Sequence, residues 1–147
     1  MLSPVPPNSS ASRFQRFSLT TSWITTWGSV IAYCLCIFVL SAQSFVSVPT
    51  TIPSADKGAH AILYAGLGWL WARVVQRSWP TQPPSMILVS SFVFTAVYGA
   101  SDEWHQFYVP ERLAEVRDVV ADTIGGTLGG MGCVVWRRMQ DMRRTQV

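Results

Sequence analysis

Apolar positions run almost unbroken from Trp23 to about Val46. A helix of that length can cross a bilayer core of about 30 Å. Three shorter apolar runs follow, at about Ala59 to Val75, Ser85 to Ser101 and Val116 to Trp136. Pro80, Pro83 and Pro84 separate the second run from the third. Each of the shorter runs carries charge at an end, so each is convincing as a span only inside a bundle, where neighbours cover its polar end. The pattern predicts an all-α fold, a polytopic membrane four-helix bundle. Residues 1–22, rich in Pro, Ser and Thr with Arg13 and Arg16 and no acid, read as a flexible tail. Residues 23–138 form the membrane domain and 139–147 a basic C-terminal tail. The first run is too long for a cleaved leader, and no clean small-x-small site follows it.

Composition agrees with this reading. Charged residues make up 13% of the 147, about half the level of soluble domains. The N-terminal tail, the middle loop and the C-terminal tail hold eight of the 11 Lys and Arg. Lys57, Arg112 and Arg117 fall on the other side, so the positive-inside rule puts both termini in the cytoplasm. The chain is then expected in the bacterial cytoplasmic (inner) membrane. Trp23, Trp27, Trp69, Trp71, Trp79 and Trp136 lie near span ends, as an aromatic belt does. No basic patch interleaved with aromatics is present, so no nucleic acid partner is expected. Cys34, Cys36 and Cys133 sit in apolar runs and read as small fillers.

Ionisable residues then appear where a membrane chain is most apolar, and all on the outer side. A charge near a helix centre costs roughly 2.5–3.5 kcal/mol on insertion scales. Asp56 and His60 are four apart, and Tyr64 extends their face by a turn. Asp56 also suits a helix N-terminus. Asp102, Glu103, His105 and Gln106 end the third run as two i,i+3 pairs, Asp102 with His105 and Glu103 with Gln106. One pair is expected inside and the other in water, with Glu103 and Gln106 the inner pair. Asp118 and Asp122 share a face of the fourth run. Asp118 suits a cap, whereas Asp122 lies deep enough to need an internal partner. Such close carboxylates call for a cation or a proton between them, and Arg112, Lys57 or a metal are the choices. His60, His105, Glu103, Asp118 and Asp122 have metal-ligating chemistry, but without an H-E-x-x-H signature the expectation is no metal and no cofactor. Gly125, Gly126, Gly129 and Gly130 make two overlapping small-xxx-small patterns, for close helix packing within the chain or in a homo-oligomer.

Taken in order, these motifs resemble the VanZ-like family of small bacterial membrane proteins. Leu40-Ser41-Ala42-Gln43-Ser44 is similar to the Ser/Gln-containing end of its first span, and Asp56-Lys57-x-x-His60 with Tyr64 and Gly68 to its second element. Tyr98-Gly99-x-x-Asp102-Glu103-x-x-Gln106, Pro110-x-Arg112 and Asp118-x-x-x-Asp122-x-x-Gly125 resemble the rest. The residue before the motif Arg is often Gly in the family and is Glu111 here. The family's named member is associated with teicoplanin tolerance, which implies action at the cell envelope and no defined reaction. The expected site combines Lys57, His60, Tyr64, Glu103, Gln106, Arg112, Asp118 and Asp122. Its expected partner is a membrane lipid or a lipid-linked cell-wall precursor, with Arg112 and Lys57 on the anion. Two alternatives stand beside this one. One is an enzyme using His60 or Glu103 as acid or base, and the other a structural subunit.

Overall fold

The computed structural model describes residues 9–43, 55–110, 112 and 114–146. Side chains are described from Trp23 in the first helix and from Lys57 in the second, so the Asp56 carboxylate lies outside the described residues. Every element among them is a helix: α1 (Ser9–Ser41), α2 (Ala55–Ser78), α3 (Pro84–Gln106) and α4 (Val116–Arg144). The boundaries follow local chemistry. α2 stops just before Pro80, which has no N–H to give a helix. α3 starts with Pro83 at its cap and Pro84 at its first position, where the missing N–H costs nothing. Past the end of α3, Arg112 N–H donates to Val109 O at 3.2 Å. α1 begins at Ser9, inside the stretch expected to be a tail.

Among the described residues, three helices are long and apolar enough to cross a membrane: Trp23–Ser41 of α1, α3 and α4. α2 is not, because it carries Lys57, His60, Arg73, Gln76 and Arg77. It is instead the central helix, packed against all three others, with Tyr64, Leu67, Ala72 and Val74 almost fully buried. The apolar helices turn Ile31, Leu35, Phe92, Val97, Ile124 and Leu128 outward. Such an outward apolar surface suits lipid and would be a liability in water.

Glycine sets the spacing of α4. A Cβ on Gly125 would strike the backbone of Ala61, and one on Gly129 the backbone of Ala65. These pairs run in the same direction, so α2 and α4 are parallel. Gly126 meets Thr95 and Gly130 meets Ser91, so α3 runs antiparallel to both. The four glycines are therefore engaged inside one chain, and backbone-to-backbone contact replaces side-chain packing.

The expected aromatic belt is only partly a belt. Trp23, Trp79 and Trp136 are about half exposed. Trp71 instead stacks on Phe94 at 3.9 Å and meets Trp27 edge-on at 6.1 Å, joining α1, α2 and α3 from within. Arg73, Arg77, Arg137 and Arg144 line a cavity of about 520 Å³ at this end of the bundle, with Trp69 and Trp136. The three cysteines are unpaired, with Cys133 buried and Cys36 exposed.

Candidate functional site

The opposite end of the bundle gathers the acidic residues. His60 lies in the second turn of α2, and its Nδ1–H donates to Asp122 Oδ1 at 3.0 Å. Asp122 is fully buried, and it fits because residue 99 of α3 is glycine: a Cβ there would lie 2.9 Å from Asp122 Oδ2. An ionised carboxylate can only accept, so this bond places a proton on Nδ1 and turns Nε2 away from Asp122.

Lys57, one turn earlier on α2, meets Glu115 Oε2 at 3.0 Å and Asp118 Oδ1 at 3.3 Å. Glu103 Oε2 accepts the Glu115 backbone N–H at 2.7 Å, which ties the start of α4 to the end of α3. The other Glu103 oxygen is buried with no hydrogen-bond partner among the described residues. His60, Glu103 and Asp118 each bring a ligand-type atom within 4.8 Å of the other two.

On the α1 side, Ser41 Oγ–H donates to Asp102 Oδ2 at 2.7 Å, and Gln106 Nε2–H donates to the same oxygen at 3.3 Å. The expectation that the Asp102–His105 pair would face water is corrected here. Asp102 is as buried as Glu103 and Gln106, because α1 covers that face and supplies a hydroxyl. His105 is half-buried and stacks on Phe38 with ring centroids 4.3 Å apart. Replacing Ser41 with Ala leaves a buried carboxylate with one donor fewer, a loss of about 1–3 kcal/mol. Thermal denaturation in detergent checks this, and an unchanged midpoint would mean that water replaces the hydroxyl.

Arg112 reaches back to α1. Its guanidinium donates to Gln43 O at 3.0 Å and Leu40 O at 3.5 Å, while Nε is buried and unpartnered. It has no carboxylate partner among the described residues. It lines a cavity of about 100 Å³ with His60, Tyr64, Asp102 and Gln106. The Tyr64 hydroxyl is also buried without a hydrogen bond among the described residues. A larger groove, about 340 Å³, runs past Glu103 and Glu115 and is walled by Trp104, Phe107, Tyr108 and Val119.

All the expected site residues therefore lie at one end, in two linked groups. His60, Glu103, Asp118, Asp122 and Lys57 form the first; Arg112, Tyr64 and Gln106 border the cavity, which His60 shares. Ser41, Asp102 and Glu115 were missed as partners. The Asp102–Gln106 spacing of four could have shown the first contact, and the Glu115–Asp118 spacing of three the shared face that takes Lys57.

These features define a small all-helical membrane protein with a buried, acid-rich polar site at one end. A family model described as VanZ/LLP1 matches residues 8–137, and the chain belongs to the VanZ/LLP1 family. No curated protein and no solved structure matches it.

Proposed function

We propose that this protein binds the anionic headgroup of a membrane lipid or lipid-linked cell-wall precursor, with Arg112 as the anion contact. The protein would be multi-pass in the bacterial cytoplasmic membrane, termini inside and the acidic end outside. The arginine excess at the other end supports that orientation. The observation that carries the reading is Arg112 itself: among the described residues its guanidinium bonds only to carbonyls and its Nε is buried and unsatisfied, and it lines a mostly apolar cavity with His60, Tyr64, Asp102 and Gln106. Guanidinium forks match phosphate and carboxylate oxygens well. The apolar groove beside Glu103 offers room for a chain from the same molecule. Lys57, expected on the anion as well, already neutralises Glu115 and Asp118, so its role is to hold the start of α4.

The test measures binding of a polyprenyl phosphate, phosphatidylglycerol and phosphatidylethanolamine to purified protein by native mass spectrometry. Anionic lipids should bind more tightly, and Arg112→Gln should weaken them about tenfold to a hundredfold, the worth of one charged hydrogen bond. Equal binding of all three lipids, or no effect of Arg112→Gln, refutes the reading. If the family's link to glycopeptide tolerance extends to this chain, deleting its gene should alter teicoplanin susceptibility. A second reading is favoured by the His60–Asp122 bond, which is how a general base is oriented. In that reading His60 or Glu103 turns over the same lipid, and product formation abolished by Glu103→Gln would replace binding as the function.

A further inference from the structure

We propose that His60, Glu103 and Asp118 form a binding site for one first-row divalent cation, Zn²⁺ or Mn²⁺. Geometry is the first support. The three side chains come from α2, α3 and α4, and their ligand-type atoms converge within 4.8 Å of one another. Ligands of one tetrahedral ion, each at about 2.1 Å, stand about 3.4 Å apart. The groups therefore need to close by at most about 1.4 Å, within reach of side-chain rotation.

The second support is an unused ligand atom. Glu103 is 7% exposed, one of its oxygens is spent on the Glu115 N–H, and the other is buried without a partner. A buried carboxylate oxygen left bare is costly, and it belongs to a residue of the cluster.

Histidine chemistry is the third. Metal-bound imidazoles commonly donate their second N–H to a carboxylate, which orients the ring and strengthens the ligand. His60 makes that bond to Asp122 and keeps Nε2 for an ion.

Charge balance is the fourth. Asp102, Glu103, Asp118 and Asp122 are buried and Glu115 is close by, yet among the described residues only Lys57 and Arg112 bring fixed positive charge to them. A divalent ion removes most of the excess. One nitrogen and two carboxylates suit Zn²⁺ or Mn²⁺ better than Ca²⁺, which prefers six or more oxygens. Three protein ligands leave coordination positions open. The cation site stands independently of the lipid reading, although an open position would let the ion meet an anionic headgroup.

The experiment is equilibrium dialysis of chelator-stripped full-length protein in detergent against Zn²⁺ or Mn²⁺, followed by elemental analysis. One ion per chain is expected. Glu103→Gln and Asp118→Asn should each weaken binding at least tenfold. Asp122→Asn, which alters the partner of the histidine and none of the three ligands, should weaken it roughly 10–100-fold. Asp141→Asn, an exposed acid elsewhere on α4, should change nothing. Glu103→Gln keeps an acceptor for the Glu115 N–H, so loss of the ion with an unchanged melting curve separates ligation from folding. No stoichiometric ion in wild type, or ion binding unaffected by Glu103→Gln and Asp118→Asn, overturns the proposal. The lipid measurement on the same metal-free protein fails or succeeds separately, so neither result stands in for the other.

Discussion

Gly129→Ala and Gly125→Ala should each destabilise the bundle by about 3 kcal/mol or more, whereas Gly28→Ala and Gly58→Ala should be neutral or stabilising. In a free helix Ala is favoured over Gly by about 1 kcal/mol. At Gly28 and Gly58 a Cβ meets nothing within 4 Å, so that gain should be kept. At Gly125 and Gly129 the Cβ runs into the backbone of Ala61 and Ala65. Backbone cannot rotate aside as a side chain can, so α2 and α4 must separate. Overpacking costs about 1–3 kcal/mol, and more when a whole helix has to move. Separation would also pull His60 from Asp122, because that bond joins the same two helices. Melting in detergent, read beside metal binding for the same variants, tests both consequences. If Gly129→Ala melts like wild type, the helices are not packed this closely.

These glycines show where the sequence was legible. Small residues spaced by four within an apolar run can serve little but close approach, so their purpose was readable without knowing the partner helix. The parallel pairing with α2 was not readable, since it depends on three-dimensional order. The apolar runs located α1, α3 and α4 for a similar reason: lipid-facing surface must be continuous. α2 was harder. It is surrounded by other helices, so a continuous apolar surface is not required of it. Its charges were visible, but their meaning came only with burial on three sides.

The polar site divides along the same line. Asp122 was placed inside because one carboxylate a turn deep has nowhere else to go. Asp102 was expected in water because nothing in the sequence says which side α1 covers. Ser41 sits 61 residues from Asp102. Only the fold brings that hydroxyl to the carboxylate, and no local spacing rule reaches so far. Glu115 escaped notice because its role is split, with its backbone N–H on Glu103 and its carboxylate on Lys57.

The His60–Asp122 pair allows folding and function to be separated by a double-mutant cycle. His60→Leu should be the more damaging single change. It leaves the fully buried Asp122 carboxylate without its donor, among other carboxylates, and breaking a buried pair in this way costs roughly 3–5 kcal/mol. Asp122→Leu should cost less, about 1–3 kcal/mol, because it strands a half-buried imidazole that can shed its charge and also removes one negative charge from a crowded site. Leu keeps the branching of Asp at Cγ, so the space beside Gly99 is still filled. The double variant His60→Leu/Asp122→Leu should recover most of the loss, since replacing both members of a buried pair with apolar groups is often neutral or better. Its melting point should thus exceed that of His60→Leu, although it carries one more substitution. The same double variant should bind no Zn²⁺ or Mn²⁺, having lost a ligand and its orienting carboxylate. Recovery of stability without recovery of binding would mean the pair is kept for what it binds. Additive losses would mean the two residues act apart, and the bond between them would cease to be a reason for their presence.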